Sequence, residues 1–169
     1  MADEPTEKWY YDACTLDRDL ETLSEIINKH HPKQAYTSHL AIGEAYANCS
    51  NKSVERNDPE ILSAYVDLIS KLRKYLRIVS NDGVEKILEK IKSMRPTLSI
   101  TDSIHLATAI REQCCVFRTT DHDFNGFSKQ DQIDLAHAFG MSRLSINLMD
   151  RKSSGLKFKA KKFLAKIKG

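Results

Sequence analysis

Four acidic side chains stand in or beside apolar segments, where a carboxylate could serve chemistry. Asp12 follows the aromatic run Trp-Tyr-Tyr, and Glu44 lies in an otherwise uncharged helical stretch. Asp102 lies in the first turn of a predicted helix, and Asp121 comes just after a short apolar run. Burying a carboxylate costs free energy unless a partner compensates for its charge, and a bound cation is one such partner. This placement indicates a site for a divalent metal ion.

Phosphodiester hydrolysis is the chemistry that such carboxylates would serve. The reaction needs a nucleophilic water, neutralised phosphate charge and a stabilised leaving oxygen, and two divalent ions about 3.5–4 Å apart supply all three. Ligands that are all oxygens favour Mg²⁺ or Mn²⁺. The predicted catalytic and metal-binding residues are Asp12, Glu44, Asp102 and Asp121, with Asp123 as a further metal ligand. Ser38 and Thr120 are predicted to hold a carboxylate or a bound water, unless they serve as a helix cap and a strand-end hydrogen-bond partner.

Each acid also has a purely structural interpretation. Asp102 alone could interact with the helix dipole, which is worth under roughly 1 kcal/mol, and Asp121 and Asp123 could be turn residues. Glu44 could pair with a lysine or reach solvent. His105, one turn after Asp102, is most simply a hydrogen-bonded structural histidine. A shared site predicts a raised pKa for at least one acid in the metal-free protein, because carboxylates held close together repel one another.

The alternation of short apolar runs with helical patterns predicts an α/β fold. Strands are predicted at 9–14, 35–37, 75–79, 114–119 and 144–148. Helices are predicted at 17–30, 38–49, 59–74, 84–94, 101–113 and 128–139, with a loop at 50–58. Helical crossovers imply a mostly parallel sheet with right-handed connections. The carboxyl ends of such strands line one crevice, so we expect the acids to converge there.

Taken together, the acidic elements resemble those of the PIN-domain nucleases. The matching segments are Tyr-Tyr-Asp12-Ala-Cys, Thr-Ser38-x-Leu-x-x-x-Glu44, Thr-Asp102-x-x-His-Leu-Ala-Thr-Ala and Thr-Thr120-Asp121-x-Asp123-Phe, in the family's order from residue 9 to about residue 148. Within the family, the pattern is most similar to the small toxin ribonucleases of VapC type. The basic extension from Arg151 departs from that pattern, and the chain contains no recognisable antitoxin segment.

The resemblance carries specific expectations. It implies a three-layer α/β/α domain with a mostly parallel sheet of about five strands, and an acidic Mg²⁺ or Mn²⁺ site at the same four positions. It also implies single-stranded RNA as the substrate, products with 5′-phosphate and 3′-hydroxyl ends, an antitoxin protein as a partner and a homodimer.

Other functions stay open on the sequence alone. A processing or repair nuclease would act on structured RNA or DNA, and a non-catalytic module of the same fold would bind RNA or protein. A phosphatase could use Asp12 as its nucleophile, but Cys14 stands where that chemistry needs a second aspartate.

Length and composition indicate one globular domain. The chain has 169 residues, 41% hydrophobic and 29% charged, which is ordinary for such a domain. No apolar run approaches the roughly twenty residues of a membrane span, and the acidic start MADEPTEK predicts no signal peptide. We therefore expect a cytoplasmic protein, with its four cysteines reduced because no C-x-x-C pair is present.

The charge of the chain is concentrated in its last 19 residues. Residues 151–169 hold one arginine and seven lysines without an acid, a charge of +8; the whole chain carries +3, so residues 1–150 carry −5. We divide the chain into a nuclease domain at 1–150 and a basic tail at 151–169. The tail's amphipathic pattern could bind a membrane surface, a partner groove or RNA. RNA capture is the economical interpretation for a nuclease, and a solvated, partly disordered terminus is the alternative.

Deleting residues 151–169 should raise the KM for single-stranded RNA and flatten its salt dependence, because each neutralised phosphate adds about 0.7 to the logarithmic salt slope. Cleavage rates measured across a salt series check this. A full-length chain with the seven tail lysines replaced by glutamine separates charge from length. An unchanged salt slope in both variants would contradict RNA capture by the tail.

Overall fold

A five-stranded parallel sheet forms the centre of this computed structural model, which describes residues 7–16 and 34–149. The strands are β1 (Trp9–Tyr11), β2 (Ala35–Ser38), β3 (Leu76–Val79), β4 (Val116–Thr119) and β5 (Ser145–Leu148). Their order across the sheet is β3-β2-β1-β4-β5, and every neighbouring pair is parallel. The first strand in the sequence is thus the central strand of the sheet.

Helices cover both faces of the sheet. They are α1 (Ala13–Leu16), α2 (His39–Glu55), α3 (Glu60–Leu72), α4 (Glu85–Met94), α5 (Ile100–Arg111) and α6 (Lys129–Ala138), with a 3₁₀ helix at His122–Gly126. Buried residues of α1, α2 and α3 form one core with one face of the sheet. Buried residues of α4, α5 and α6 form a second core with the other face. The fold is the three-layer α/β/α arrangement that the sequence predicted.

Alternating side chains of the central strand divide the two cores. Successive strand residues point to opposite faces, so Tyr10 enters the core beneath α5 and Tyr11 enters the core beneath α2. The ring of Tyr10 stacks on that of Phe117 in β4, with centroids 5.6 Å apart. Phe117 in turn packs against Phe124 of the 3₁₀ helix, at 5.0 Å between centroids. These aromatic contacts connect the central strand to the turn that carries Asp121 and Asp123.

Two helices differ from their predicted form. The loop predicted from Ser50 was wrong, because α2 continues to Glu55 with its polar residues on the solvent side. The chain then reverses at Asn57, whose φ is +47°. The sequence pattern predicts an inner side of α3 that contains Leu62, Val66, Ile69 and Leu72. Leu72 is buried as predicted, but Val66 is exposed, and Tyr65 is buried instead and donates a hydrogen bond to the carbonyl of Ile42. The buried side of α3 consists of Ile61, Tyr65, Leu68 and Leu72.

Several element ends were also wrong by a few residues. The first strand ends at Tyr11 rather than 14, because the chain turns at Ala13 into the short helix α1. The sequence predicts Thr101 as the cap of α5, directly before Asp102. This is wrong, because the cap is Ser99, which accepts a hydrogen bond from the backbone N–H of Asp102. Gly140, with a φ of +70°, follows α6 at the predicted helix end. The helix predicted at 17–30 and the tail from Arg151 lie outside the described residues.

None of the helices within 7–16 and 34–149 is long and apolar enough to cross a membrane.

Replacing Leu106 with alanine should destabilise the fold strongly. Leu106 is fully buried in the core beneath α5, and such a truncation typically costs about 2–5 kcal/mol. The matched control is Val54→Ala, since Val54 is 79% exposed on α2. Urea unfolding of both variants measures the difference, and equal losses of stability would contradict the core described here.

Candidate active site

The carboxyl edge of the sheet brings the predicted acids toward one another. Asp12 directly follows β1, and Asp121 comes two residues after β4. Tyr11 pairs in register with Arg118, so these two parallel strands end side by side. Glu44 lies on α2, which follows β2, and Asp102 lies in the first turn of α5. The acids converge because the segments after parallel strands all begin at the same edge of the sheet.

Three of the acids form a compact group. Asp102, Asp121 and Asp123 each offer one carboxylate oxygen, and these oxygens all lie within 4.8 Å of one another. Asp102 and Asp121 are half-buried, whereas Asp123 is exposed. Asp12 and Glu44 lie outside this group. Their charges nevertheless act within the same site, because Asp102 raises the pKa of Asp12 and Glu44 raises the pKa of Asp102.

Short polar side chains orient the grouped carboxylates. Ser99 donates a hydrogen bond of 2.5 Å to the Oδ2 of Asp102 while it accepts one from the Asp102 backbone. Asp121 accepts a hydrogen bond on Oδ1 from the backbone N–H of Asp123, at 2.9 Å. The Asp121 backbone N–H donates to the Oγ1 of Thr119, also at 2.9 Å. The carboxylates of Asp102 and Asp121 are therefore held by local contacts before any ligand binds.

Arg95 fixes the far end of the acidic turn. Its guanidinium donates a hydrogen bond of 2.8 Å to the carbonyl of Gly126 and lies over the ring of Phe127. A Cβ on Gly126 would lie 1.5 Å from the guanidinium Nη2. The absence of a side chain at Gly126 is thus what allows Arg95 to close onto the turn.

Asp12 is a buried carboxyl with a raised pKa. Its side chain is only 2% exposed, and its Oδ1 accepts a hydrogen bond from the backbone N–H of Thr15 at 3.1 Å. Burial raises the pKa of Asp12 to about 6, although hydrogen bonds from Thr119 and Thr15 and the nearby His105 oppose the increase.

The pKa of Asp102 is also raised, first by burial. The hydrogen bond from Ser99 lowers it, and the charges of Asp121 and Glu44 add to the increase. The predicted raised pKa is confirmed in Asp12 and Asp102. Its main cause is desolvation, however, and repulsion between the acids is the smaller contribution.

Glu44 is paired with a buried histidine. The Nε2 of His105 lies 2.6 Å from the Oε2 of Glu44, and the Nδ1 of His105 lies 3.2 Å from the hydroxyl of Tyr10. The hydroxyl oxygens of Tyr10 and Ser38 lie 2.9 Å apart. His105 is therefore a hydrogen-bonded histidine, as the sequence indicated, and the partner of Glu44 is this histidine rather than a lysine.

Ser38 and Thr120, the two residues predicted to hold a carboxylate or a bound water, differ in their surroundings. Ser38 caps α2 by accepting a hydrogen bond from the backbone N–H of Ala41, which is the structural alternative foreseen for it. Thr120 is 3% exposed, and its hydroxyl has no hydrogen-bond partner among the described residues. The strand-end hydrogen bond expected of Thr120 is made by Thr119 instead.

Sequence reasoning missed Ser99, Thr119 and Tyr10. Ser99 had a readable signal, since serine three residues before an acid at a helix start is a capping pattern. The contributions of Thr119 and Tyr10 depend on contacts between different strands and helices, which no local spacing reveals.

The arrangement is that of a known nuclease family. The family model for the PIN domain matches residues 10–130. The chain belongs to the PIN-domain family. The matched segment includes Asp12, Glu44, Asp102, Asp121 and Asp123, so it contains the whole set of predicted acids. The resemblance noted in the sequence is confirmed, and the family supports nuclease activity for this chain.

A solved structure shares the fold. It is the crystal structure of VapC20 from Mycobacterium tuberculosis, described as a toxin that cleaves the sarcin–ricin loop. The two chains are 16% identical and superpose with a TM-score of 0.50, over 72% of this chain and 97% of VapC20. At this identity the likeness concerns the PIN fold alone. No curated protein matches the sequence.

Asp12→Asn should make the stability of the metal-free protein less dependent on pH. The pKa of Asp12 is about 6 in the folded protein against an ordinary 3.8, so the folded state holds this proton more tightly than the unfolded chain. Stability is therefore lost as the pH rises from about 4 to about 6, by at most about 3 kcal/mol. Asparagine has no proton to lose, so the variant should avoid this loss.

Urea unfolding in EDTA at pH 4 and pH 7 measures the effect. Asp67→Asn is the control, because Asp67 is an exposed acid on α3. Equal pH slopes for wild type and Asp12→Asn would contradict the raised pKa.

Proposed function

We propose that this protein is a divalent-metal-dependent ribonuclease that hydrolyses phosphodiester bonds in single-stranded RNA. The observation that carries the proposal is the group of carboxylate oxygens of Asp102, Asp121 and Asp123 within 4.8 Å of one another. This group lies at the carboxyl edge of the sheet in a chain of the PIN-domain family. Membership of a nuclease family and a compact set of acids at its sheet edge point to the same chemistry.

The residues present fit Mg²⁺ or Mn²⁺. All the donors are carboxylate oxygens, which these hard cations prefer. Asp102, Asp121 and Asp123 would provide the direct ligands, with Asp12 and Glu44 beside them through a carboxylate or a bound water. Thr120 lies between β4 and Asp121. Its buried hydroxyl has no hydrogen-bond partner among the described residues and could hold such a water. The bound cation would neutralise the phosphate and activate the attacking water.

The raised pKa values support a cation at this site. Desolvation penalises the ionised forms of Asp12 and Asp102, and a divalent cation would favour those forms again. Without a cation, a cluster of acids would repel the phosphates of a nucleic acid. The acids can therefore serve RNA cleavage only when a positive charge lies between them and the substrate.

We also propose a biological role, a partner and an assembly for this protein. The sequence pattern supports a toxin of VapC type, with an antitoxin protein as its partner and a homodimer as its assembly. We place its action in the cytoplasm, where RNA is available. Residues 1–150 would form the nuclease domain, and the basic tail at 151–169 would add to RNA capture. Magnesium and manganese are equally compatible with the donor set.

Cleavage of a labelled single-stranded RNA tests the proposal. Wild-type protein should cut with Mn²⁺ or Mg²⁺ and not with EDTA, and Asp102→Asn should lower kcat at least about 100-fold, since a direct ligand supplies several kcal/mol of transition-state stabilisation. Asp67→Asn, the exposed control on α3, should cut normally.

Three results would each contradict a part of the proposal. Equal cleavage by wild type and Asp102→Asn would place the activity elsewhere. RNA binding without cleavage in any metal would favour a non-catalytic module. Cleavage confined to a hairpin or to DNA would keep the nuclease and replace single-stranded RNA as its substrate.

A further inference from the structure

A buried chain of polar side chains joins three of the segments that form the site. It runs from Ser38 through the hydroxyl of Tyr10 to the imidazole of His105 and ends on the carboxylate of Glu44. Tyr10 belongs to β1, Ser38 and Glu44 lie at the start and on the second turn of α2, and His105 lies on α5. The chain therefore connects the central strand with the two helices that carry Glu44 and Asp102.

His105 occupies a place where packing alone would favour an apolar residue. It is 2% exposed, and its neighbours Leu106, Ala109 and Ile110 on α5 are fully buried and apolar. Burying an imidazole there costs free energy unless both ring nitrogens find partners. Both do, and one of the partners is a carboxylate at the edge of the acidic site.

We propose that His105 is a positioning residue for Glu44: it fixes one carboxylate oxygen and directs the other toward the acidic group. This inference rests on the proposed metal-dependent function. An ionised carboxylate can only accept hydrogen bonds, so the Nε2 of His105 is the donor to Oε2. The Oε1 of Glu44 is then left for a metal ion or for a water bound to one.

Tyr10 determines the orientation of the imidazole. Its hydroxyl lies 3.2 Å from Nδ1, and its ring is fully buried between the sheet and α5. Tyr10 is itself held by Ser38, the cap of α2. The orientation of Glu44 is thus tied to the start of its own helix through two buried rings, which leaves its half-exposed side chain little freedom to leave the site.

Hydrogen-bond partners of metal ligands affect metal affinity as well as structure. Removing such a partner typically weakens metal binding by 10- to 100-fold. Two substitutions at this position separate the nitrogens, because the amide nitrogen of glutamine can replace Nε2 and the amide of asparagine can replace only Nδ1. We therefore expect His105→Gln to keep the contact with Glu44 and His105→Asn to lose it.

The experiment measures Mn²⁺ affinity and RNA cleavage for the full chain. His105→Asn should weaken Mn²⁺ binding by about 10- to 100-fold and lower kcat, with the KM for RNA unchanged. His105→Gln should restore affinity to within a few-fold of wild type. In a Glu44→Ala background, His105→Asn should cause no further loss, because the contact it removes is already gone.

An NMR measurement without metal separates failure of this inference from failure of the proposed function. The proton on Nε2 of His105 should give a protected downfield NMR signal that disappears in Glu44→Ala, and its absence from the wild type would overturn the proposal. Equal affinity losses in His105→Asn and His105→Gln, or a full loss in the Glu44→Ala background, would also overturn it by showing a general packing role. Absence of Mn²⁺ binding by wild type, with the proton signal present, would instead overturn the proposed function.

Discussion

Removal of the Asp12 carboxyl from water is the constraint on which the site depends. The central position of β1 gives the next residue along the chain neighbours on both sides, so its side chain is buried whatever its chemistry. A carboxyl at this place must be protonated, hydrogen-bonded or neutralised by a cation. Thr15 and Thr119 compensate for only part of the cost, because the pKa stays well above its ordinary value. The remaining cost is the part that a cation would relieve on binding.

The other features of the site depend on the same constraint. Three of the acids have a polar side chain that contacts them or their turn: Ser99 for Asp102, Thr119 for the turn of Asp121, and His105 for Glu44. These partners leave part of each carboxylate unengaged, and so they order the acids without neutralising them. The guanidinium of Arg95, at the far end of the acidic turn, donates its hydrogen bond to the backbone carbonyl of Gly126 rather than to an acid. The site therefore retains its negative charge and its geometry together.

The parallel sheet could be predicted because each strand and helix carries its own periodic signal, and the three-layer order followed from the family resemblance. The acids could be predicted because each stands in or beside an apolar segment. Contacts between elements could not be predicted, because they join distant parts of the chain: Glu44 and His105 are 61 positions apart. Val66 was placed inside α3 because both Tyr65 and Val66 suit a helix core, and the sequence does not show that the hydroxyl of Tyr65 reaches the distant carbonyl of Ile42. The continuation of α2 past Ser50 could not be predicted either, since its residues favour a turn on their own.

The strand order also determines when the acids can meet during synthesis. Asp12 leaves the ribosome early, but β4, its neighbour at the sheet edge, comes more than a hundred residues later. At ordinary translation rates of about 5–20 residues per second, that interval lasts roughly 5–20 seconds. During this time the chain carries Asp12 and Glu44 without Asp121 and Asp123. A nascent chain that ends before β4 thus lacks two of the three grouped acids, and the acidic group can form only after β4 has paired with β1.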